Sequence, residues 1–307
     1  MAGVTSKMAT KERRAERVYD DAFAAQMLAA DLARVRQIYA LFFAGLTAAD
    51  WRYPALDEGK EWNLREVVAH LGALTELGQA SIEAALRGEA IAFPGLPNRF
   101  QFSRFNRQQI DERLHHEPDA LAADFLEALS RSVDTAANLE PGEAECTVAL
   151  PIYNRPVRVD ELLGIQVMHP GLTHAAQVAE PAGVAPLWTH LAPDVRYRTF
   201  SRVVRALSLL YRQDLGGDLR AKIVFRVGGE GGGTWNVHLS PRDPSSGKGA
   251  APNPNLTLSF RDASMFCRMF TGRLNLLGAV LGGAMRPRGD LRLFLRFGSL
   301  FSVDRAN

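Results

Sequence analysis

The chain has 307 residues, 47% of them hydrophobic and 23% charged, which suits a globular protein of roughly two domains. Its 36 basic and 34 acidic residues leave a net charge of +2, which argues against a nucleic-acid surface, since that requires clustered excess lysine and arginine. Cys146 and Cys267 match no ligand spacing or disulfide framework, no apolar run reaches the ~20 residues of a bilayer span, and residues 1–17 are too polar for a secretory signal, so a cytoplasmic protein with a frayed N-terminal tail is expected.

Met27, Leu28, Leu32, Val35, Ile38, Tyr39, Phe42 and Phe43 recur with a 3.6-residue period and predict a helix over 22–46. Asn63 followed three residues later by Glu66 reads as a capping box. The helix it opens runs to about residue 87 and buries Leu64, Val67, Val68, Leu71, Leu74 and Leu77. Pro94 and Pro97 mark a loop, and helices follow over 106–115 and 118–137. Residues 140–156 read as an irregular crossover. A helical pattern resumes from Asp160 through Leu162, Leu163, Ile165, Gln166, Met168 and His169, and Pro181, Pro186 and Pro193 punctuate a linker.

Composition changes near residue 195. A short amphipathic helix is expected over 200–211, then strands over 221–227 and 234–239 joined by the glycine-rich hairpin 228–233. Residues 241–254 read as a flexible loop, and 256–260 as a third strand. Asp262 caps a helix that carries Met265, Phe266, Met269 and Phe270. The expected class is multidomain, helical first and α+β second.

Three histidines hold most of the chemical information. His70, His169 and His174 each lie in a helical segment, and three imidazoles meeting at one point would form a divalent-metal site with an open position. The spacing of the second pair is the difficulty. Residues five apart stand ~140° apart on an ideal helix, against ~40° for residues four apart, so His169 and His174 would not share a face. Pro170 lacks an N–H and clashes with the preceding turn, which predicts a kink or a π-bulge there, and a bulge would bring the pair onto one face. Two readings stay open: a three-histidine metal site, or a bundle whose buried histidines satisfy carbonyls or one another. In a metal-free protein His70 or His174 could still serve as general base.

Other candidates carry less. His115 and His116 adjoin a helix end and face solvent, His238 alternates outward on a strand, and His190 lies in the linker. The 228–233 run lacks the Lys-Ser/Thr of a phosphate loop. Arg286, Arg288, Arg292 and Arg296 form either a solvated face or a set of cations for an acidic substrate at a domain interface.

The run Leu256-Thr257-Leu258, then Thr271-Gly272-Arg273-Leu274-Asn275 and Gly289-Asp290, resembles the sterol-carrier-protein type 2 domain. Such a domain implies an apolar tunnel that holds lipid or covers a neighbouring active site. The residues before 190 resemble the DinB-like four-helix bundles, in particular the mycothiol-dependent maleylpyruvate isomerase group. Trp62, His70-Leu71, Phe105-Asn106 and His174 with Gln177 carry that likeness. The group also joins its bundle to a sterol-carrier-like domain.

The resemblance implies a DinB-like bundle over 18–185 and a sterol-carrier-like α+β domain over 195–305. It implies a divalent metal such as zinc, with His70 and His174 at matched ligand positions and catalytic roles for both; His169 completes a metal set of His70, His169 and His174 if the bulge at Pro170 restores its register. Mycothiol or a similar thiol would be activated on the metal, with Asn106 and Gln177 contacting the cofactor. The family's middle ligand position, four residues before His174, falls on Pro170, with His169 one place away. The activity implied is a thiol-dependent isomerase or S-transferase acting on a small hydrophobic or electrophilic substrate in the interdomain cleft. Two alternatives are a metal-free carrier of hydrophobic ligands and a metal-free tailoring enzyme.

Overall fold

The structure, a computed structural model, describes residues 21–55 and 62–302. The tail expected at residues 1–17 lies outside them. Helices α1 (Ala25–Ala44), α2 (Leu64–Leu86), α3 (Phe102–Asp111), α4 (Pro118–Ala137) and α5 (Val159–Met168) make up most of the first half. The capping box at the start of α2 is complete. Asn63 Oδ1 accepts from the Glu66 amide at 3.0 Å, and Glu66 Oε2 accepts from the Asn63 amide at 2.9 Å. Two short antiparallel pairs flank the helices: β1 (Pro54–Ala55) with β2 (Trp62–Asn63), and β3 (Thr147–Val148) with β4 (Val157–Arg158).

Beyond α5 the rod continues through a π-turn over His169–Thr173 into α6 (Ala175–Ala179). Helices α1, α2, α4 and this interrupted rod form a four-helix bundle. Its core includes Leu28, Leu32, Tyr39, Val67, Leu71, Phe125, Leu163 and Val167, all fully buried. The Tyr39 ring meets Phe125 edge-on at 5.1 Å, a favoured aromatic geometry.

Helix α7 (Pro193–Leu210) starts earlier than the sequence pattern over 200–211 indicates. Pro193 occupies its first turn, where the missing N–H breaks no helical bond, so the last proline of the expected linker begins the helix. One side of α7 packs on α5. Its Arg198 and Arg202 both reach Asp31 of α1 at 2.7 Å, and Arg205 pairs with Glu161 of α5.

The other side of α7 packs on a sheet. After the short α8 (Gln213–Gly216) come β5 (Ala221–Val227), β6 (Gly233–Leu239), β7 (Ser245–Lys248), β8 (Leu256–Phe260) and β9 (Met285–Gly289), in spatial order β7-β6-β5-β8-β9. Only β5 and β8 run parallel. Phe225 stands opposite Trp235 on β6 and Leu258 on β8, so large residues of three strands share one face. That face meets α7 through Phe200 and through Ser201, whose hydroxyl accepts from Trp235 Nε1 at 2.8 Å. Helices α9 (Ala263–Phe270), α10 (Leu276–Leu281) and α11 (Leu291–Leu300) complete this part.

Two strands of the five-stranded sheet depart from the sequence reading, as do the short pairs β1–β2 and β3–β4. The expected flexible loop 241–254 contains β7, and β9 was not anticipated. Both are edge strands. They pair through backbone groups, which need no apolar alternation, and an edge tolerates Pro287. No helix among the described residues is long and apolar enough to cross a membrane.

Candidate metal centre and cavity

His70 projects from the middle of α2, where it is 4% exposed and its ring lies 5.1 Å from that of Trp62. His169 opens the π-turn and His174 closes it, the amide of His174 donating to the carbonyl of His169 at 3.1 Å across five residues. The extra residue turns the rod so that both imidazoles face α2. Their Nε2 atoms lie 3.0 Å apart, and both rings stand within 5.2 Å of the His70 ring.

Contacts from α1 hold the turn. The Tyr39 hydroxyl donates to the Pro170 carbonyl at 2.9 Å. A Cβ on Gly171 would lie 3.1 Å from Val35 Cγ2, so only a small residue packs there without displacing α1. The π-bulge expected from Pro170 is present, and α1 seats it.

The donor set suits a metal. Each histidine offers one nitrogen, and these atoms all lie within 4.8 Å of one another. A tetrahedral zinc with ~2.0–2.1 Å bonds would hold its nitrogens ~3.3 Å apart, so small side-chain adjustments would seat one. Gln177 Oε1 lies 2.5 Å from His174 Nδ1. An amide oxygen there requires Nδ1 to carry the proton, which leaves the Nε2 lone pair directed at His169. Burial, and then the neighbouring His174, push the His169 imidazole well below its ordinary pKa, favouring the neutral form that a metal needs.

These rings border a cavity of about 330 Å³, within the range of small-molecule sites. Its walls are mainly apolar, with Trp62, Leu74, Phe102, Leu150, Ile165 and Leu210 among them. The polar members are Thr75, Asn106, Tyr153, Gln166 and Thr173 besides the three histidines. Burial, with the nearby Glu161 carboxylate, raises the Tyr153 phenol and keeps it protonated.

Residues 32–168 match the model of the mycothiol maleylpyruvate isomerase N-terminal domain. This segment belongs to that domain family. The match ends at the last residue of α5, so the π-turn begins where the mycothiol maleylpyruvate isomerase N-terminal domain model stops. No curated protein sequence matches the chain. Among solved structures, the mycothiol-dependent maleylpyruvate isomerase aligns at 16% identity over 82% of this chain and 90% of that one, with a TM-score of 0.54. A histidine-to-alanine mutant of that isomerase aligns at 15% over 86% and 92%, with a TM-score of 0.55. At this identity the likeness is one of fold, and it extends beyond the N-terminal domain into the sheet-containing region. Sterol carrier protein 2 from Yarrowia lipolytica aligns at 20% identity over 28% of this chain and 70% of that one, but its TM-score of 0.24 is too low to argue from.

The expected site residues divide. His70, His169 and His174 converge, and Asn106 of α3 lines the same cavity while 3% exposed. Gln177 does not line it; its Oε1 lies 2.5 Å from His174 Nδ1, one layer behind the cluster. The cavity is lined mainly by residues before 175; Leu210 at the end of α7 is its last lining residue, and no strand of the five-stranded sheet contributes. Arg286, Arg288, Arg292 and Arg296 are exposed and do not line it.

Gln166 and Thr75 were not anticipated as cavity residues. Gln166 Nε2 donates to the Thr75 carbonyl at 3.3 Å, crossing α2 where Gly78 leaves room. Its position three residues before His169 puts it on the same helical face, a signal the spacing already contained.

Proposed function

We propose that the chain is a metal-dependent enzyme that uses a low-molecular-weight thiol of the mycothiol type, catalysing isomerisation or S-transfer on a small electrophilic substrate. One observation carries this reading: a proline-associated π-turn brings His169 and His174 into one cluster with His70 at the wall of an apolar cavity. Family membership of residues 32–168 supports the thiol. A divalent metal, zinc for this all-imidazole set, would be held by His70, His169 and His174, and when bound it supplies the Lewis acidity that keeps a thiol ionised at neutral pH.

The remaining work falls to the chain itself. Gln177 keeps His174 in the tautomer that presents Nε2. Trp62 packs against His70 and limits its rotation. The apolar walls exclude water that would compete with the thiol for the electrophile. Asn106 offers a buried amide beside the reacting groups. In this reading the sheet-containing region is a sterol-carrier-like domain that buttresses the bundle through α7.

Metal analysis of protein purified without chelator tests the proposal, combined with thiol-dependent turnover of uncharged electrophiles, maleylpyruvate serving as the comparison. About one equivalent of zinc, lost in His70→Ala together with turnover, is the expected result. A chain that retains no zinc after reconstitution would overturn it. The apolar lining favours a second reading, a metal-free carrier of hydrophobic ligands, for which binding would be indifferent to chelator.

A further inference from the structure

The cavity walls contain no aspartate, glutamate, lysine or arginine among the described residues. The nearby arginines are engaged elsewhere. Arg99 donates to the carbonyls of Leu210 and Ser302, and Arg155 and Arg205 pair with Glu161. A carboxylate entering this space away from the histidine cluster would lose its water and gain no cationic side chain in return, an unfavourable transfer.

Two buried amides lean the same way, while the hydroxyls of Thr75, Tyr153 and Thr173 can donate or accept. Asn106 and Gln166 both line the cavity, are 3% and 4% exposed, and each carries a buried carbonyl oxygen with no partner in the protein, Asn106 Oδ1 and Gln166 Oε1. The Gln166 assignment is set by its amide nitrogen, which donates to Thr75. Unpartnered acceptors repel an anion and seek a donor.

We propose that, away from any group held on a metal at the histidine cluster, this cavity selects a neutral, largely apolar small molecule that presents N–H or O–H donors to Asn106 and Gln166, and that it leaves the second carboxylate of a maleylpyruvate-like dicarboxylate without a counter-charge. The proposal rests on the reading that the cavity is the substrate site, and it assigns that site a substrate class unlike the one in the family's name.

Calorimetric titration of the full chain at pH 8, zinc-free and zinc-loaded, with benzamide, N,N-dimethylbenzamide and benzoate tests it. Zinc content is measured on the same samples. In the zinc-free chain benzamide should bind at least about ten-fold more tightly than benzoate, and several-fold more tightly than the donor-free dimethyl amide. The variants Asn106→Leu and Gln166→Leu should erase the preference for the N–H donor and leave the preference for neutral over anionic probes. Benzoate binding the zinc-free chain as tightly as benzamide, or saturable binding by none of the probes, would overturn the proposal. A chain that takes up no zinc but keeps the amide preference would overturn the metal reading and support the selectivity.

Discussion

The amide of His174 donates to the carbonyl of His169 across five residues, at 3.1 Å, and the two Nε2 atoms consequently lie 3.0 Å apart. On an uninterrupted α-helix these side chains would diverge by ~140°. If the cluster holds a metal, His169→Ala should be as damaging as His70→Ala. Each should weaken zinc binding beyond the ~10–100-fold typical of losing an outer-shell partner. Competition against a chromophoric chelator measures this, and wild-type affinity in His169→Ala would remove it from the ligand set.

Gln177 lies one layer behind the cluster. Gln177→Leu removes the acceptor for His174 Nδ1–H at nearly constant volume. We expect a ~10–100-fold loss of zinc affinity with an unchanged far-ultraviolet circular dichroism spectrum. Full affinity in the variant would show that His174 is held by packing alone.

The seating of the π-turn can be loosened from α1. Tyr39→Phe deletes the hydrogen bond to the Pro170 carbonyl and should cost about 1 kcal/mol. Gly171→Ala pushes a methyl group against Val35 and should cost ~1–3 kcal/mol. Both should also lower zinc affinity, because the turn sets the angle between His169 and His174. Urea unfolding read beside metal titration separates a change in stability from a change in the site.

Asp31 ties the first helix to α7. It accepts from Arg198 and from Arg202, and Asp31 and Arg202 are each only 1% exposed. Asp31→Asn leaves the Arg202 guanidinium buried without a counter-charge and should destabilise the fold by ~3–5 kcal/mol. The melting temperature reports this directly. A loss below about 1 kcal/mol would mean that water reaches Arg202.

Glu161 should give an acid-side signature. Burial alone would raise its carboxyl, but the Arg155 hydrogen bond and the charges of Arg205 and Arg155 prevail and hold it below 4.5. A carboxyl depressed in the folded state contributes stability that is present above its unfolded pKa and fades as pH falls through the lower folded value. Stability of wild type minus Glu161→Gln should therefore be constant near neutrality and shrink below about pH 4.5. A difference that grows on acidification would contradict this sign.

Much of the architecture was legible beforehand because its causes are local. The period of Leu28, Leu32, Val35 and Tyr39 marks a helix wherever it packs, and Asn63 with Glu66 starts another by bonds spanning three residues. Strands β5, β6 and β8 announced themselves by alternation or apolar content. Edge strands β7 and β9 did not, because backbone pairing with a neighbour distant in sequence defines them.

The candidate site divides along the same line. Which imidazoles are available, and that Pro170 disturbs the helix between two of them, can be read from the order of residues alone. Whether that disturbance became a kink or a π-turn depended on Tyr39 and Val35, more than a hundred residues earlier, which seat Pro170 and Gly171 against α1. Propensity could not settle this, because the register of a helix past a proline is set by packing against distant segments. The cavity has the same origin. Phe102, Leu150 and Leu210 are ordinary apolar residues in three separate segments, and they acquire a role only when the chain folds them around His70.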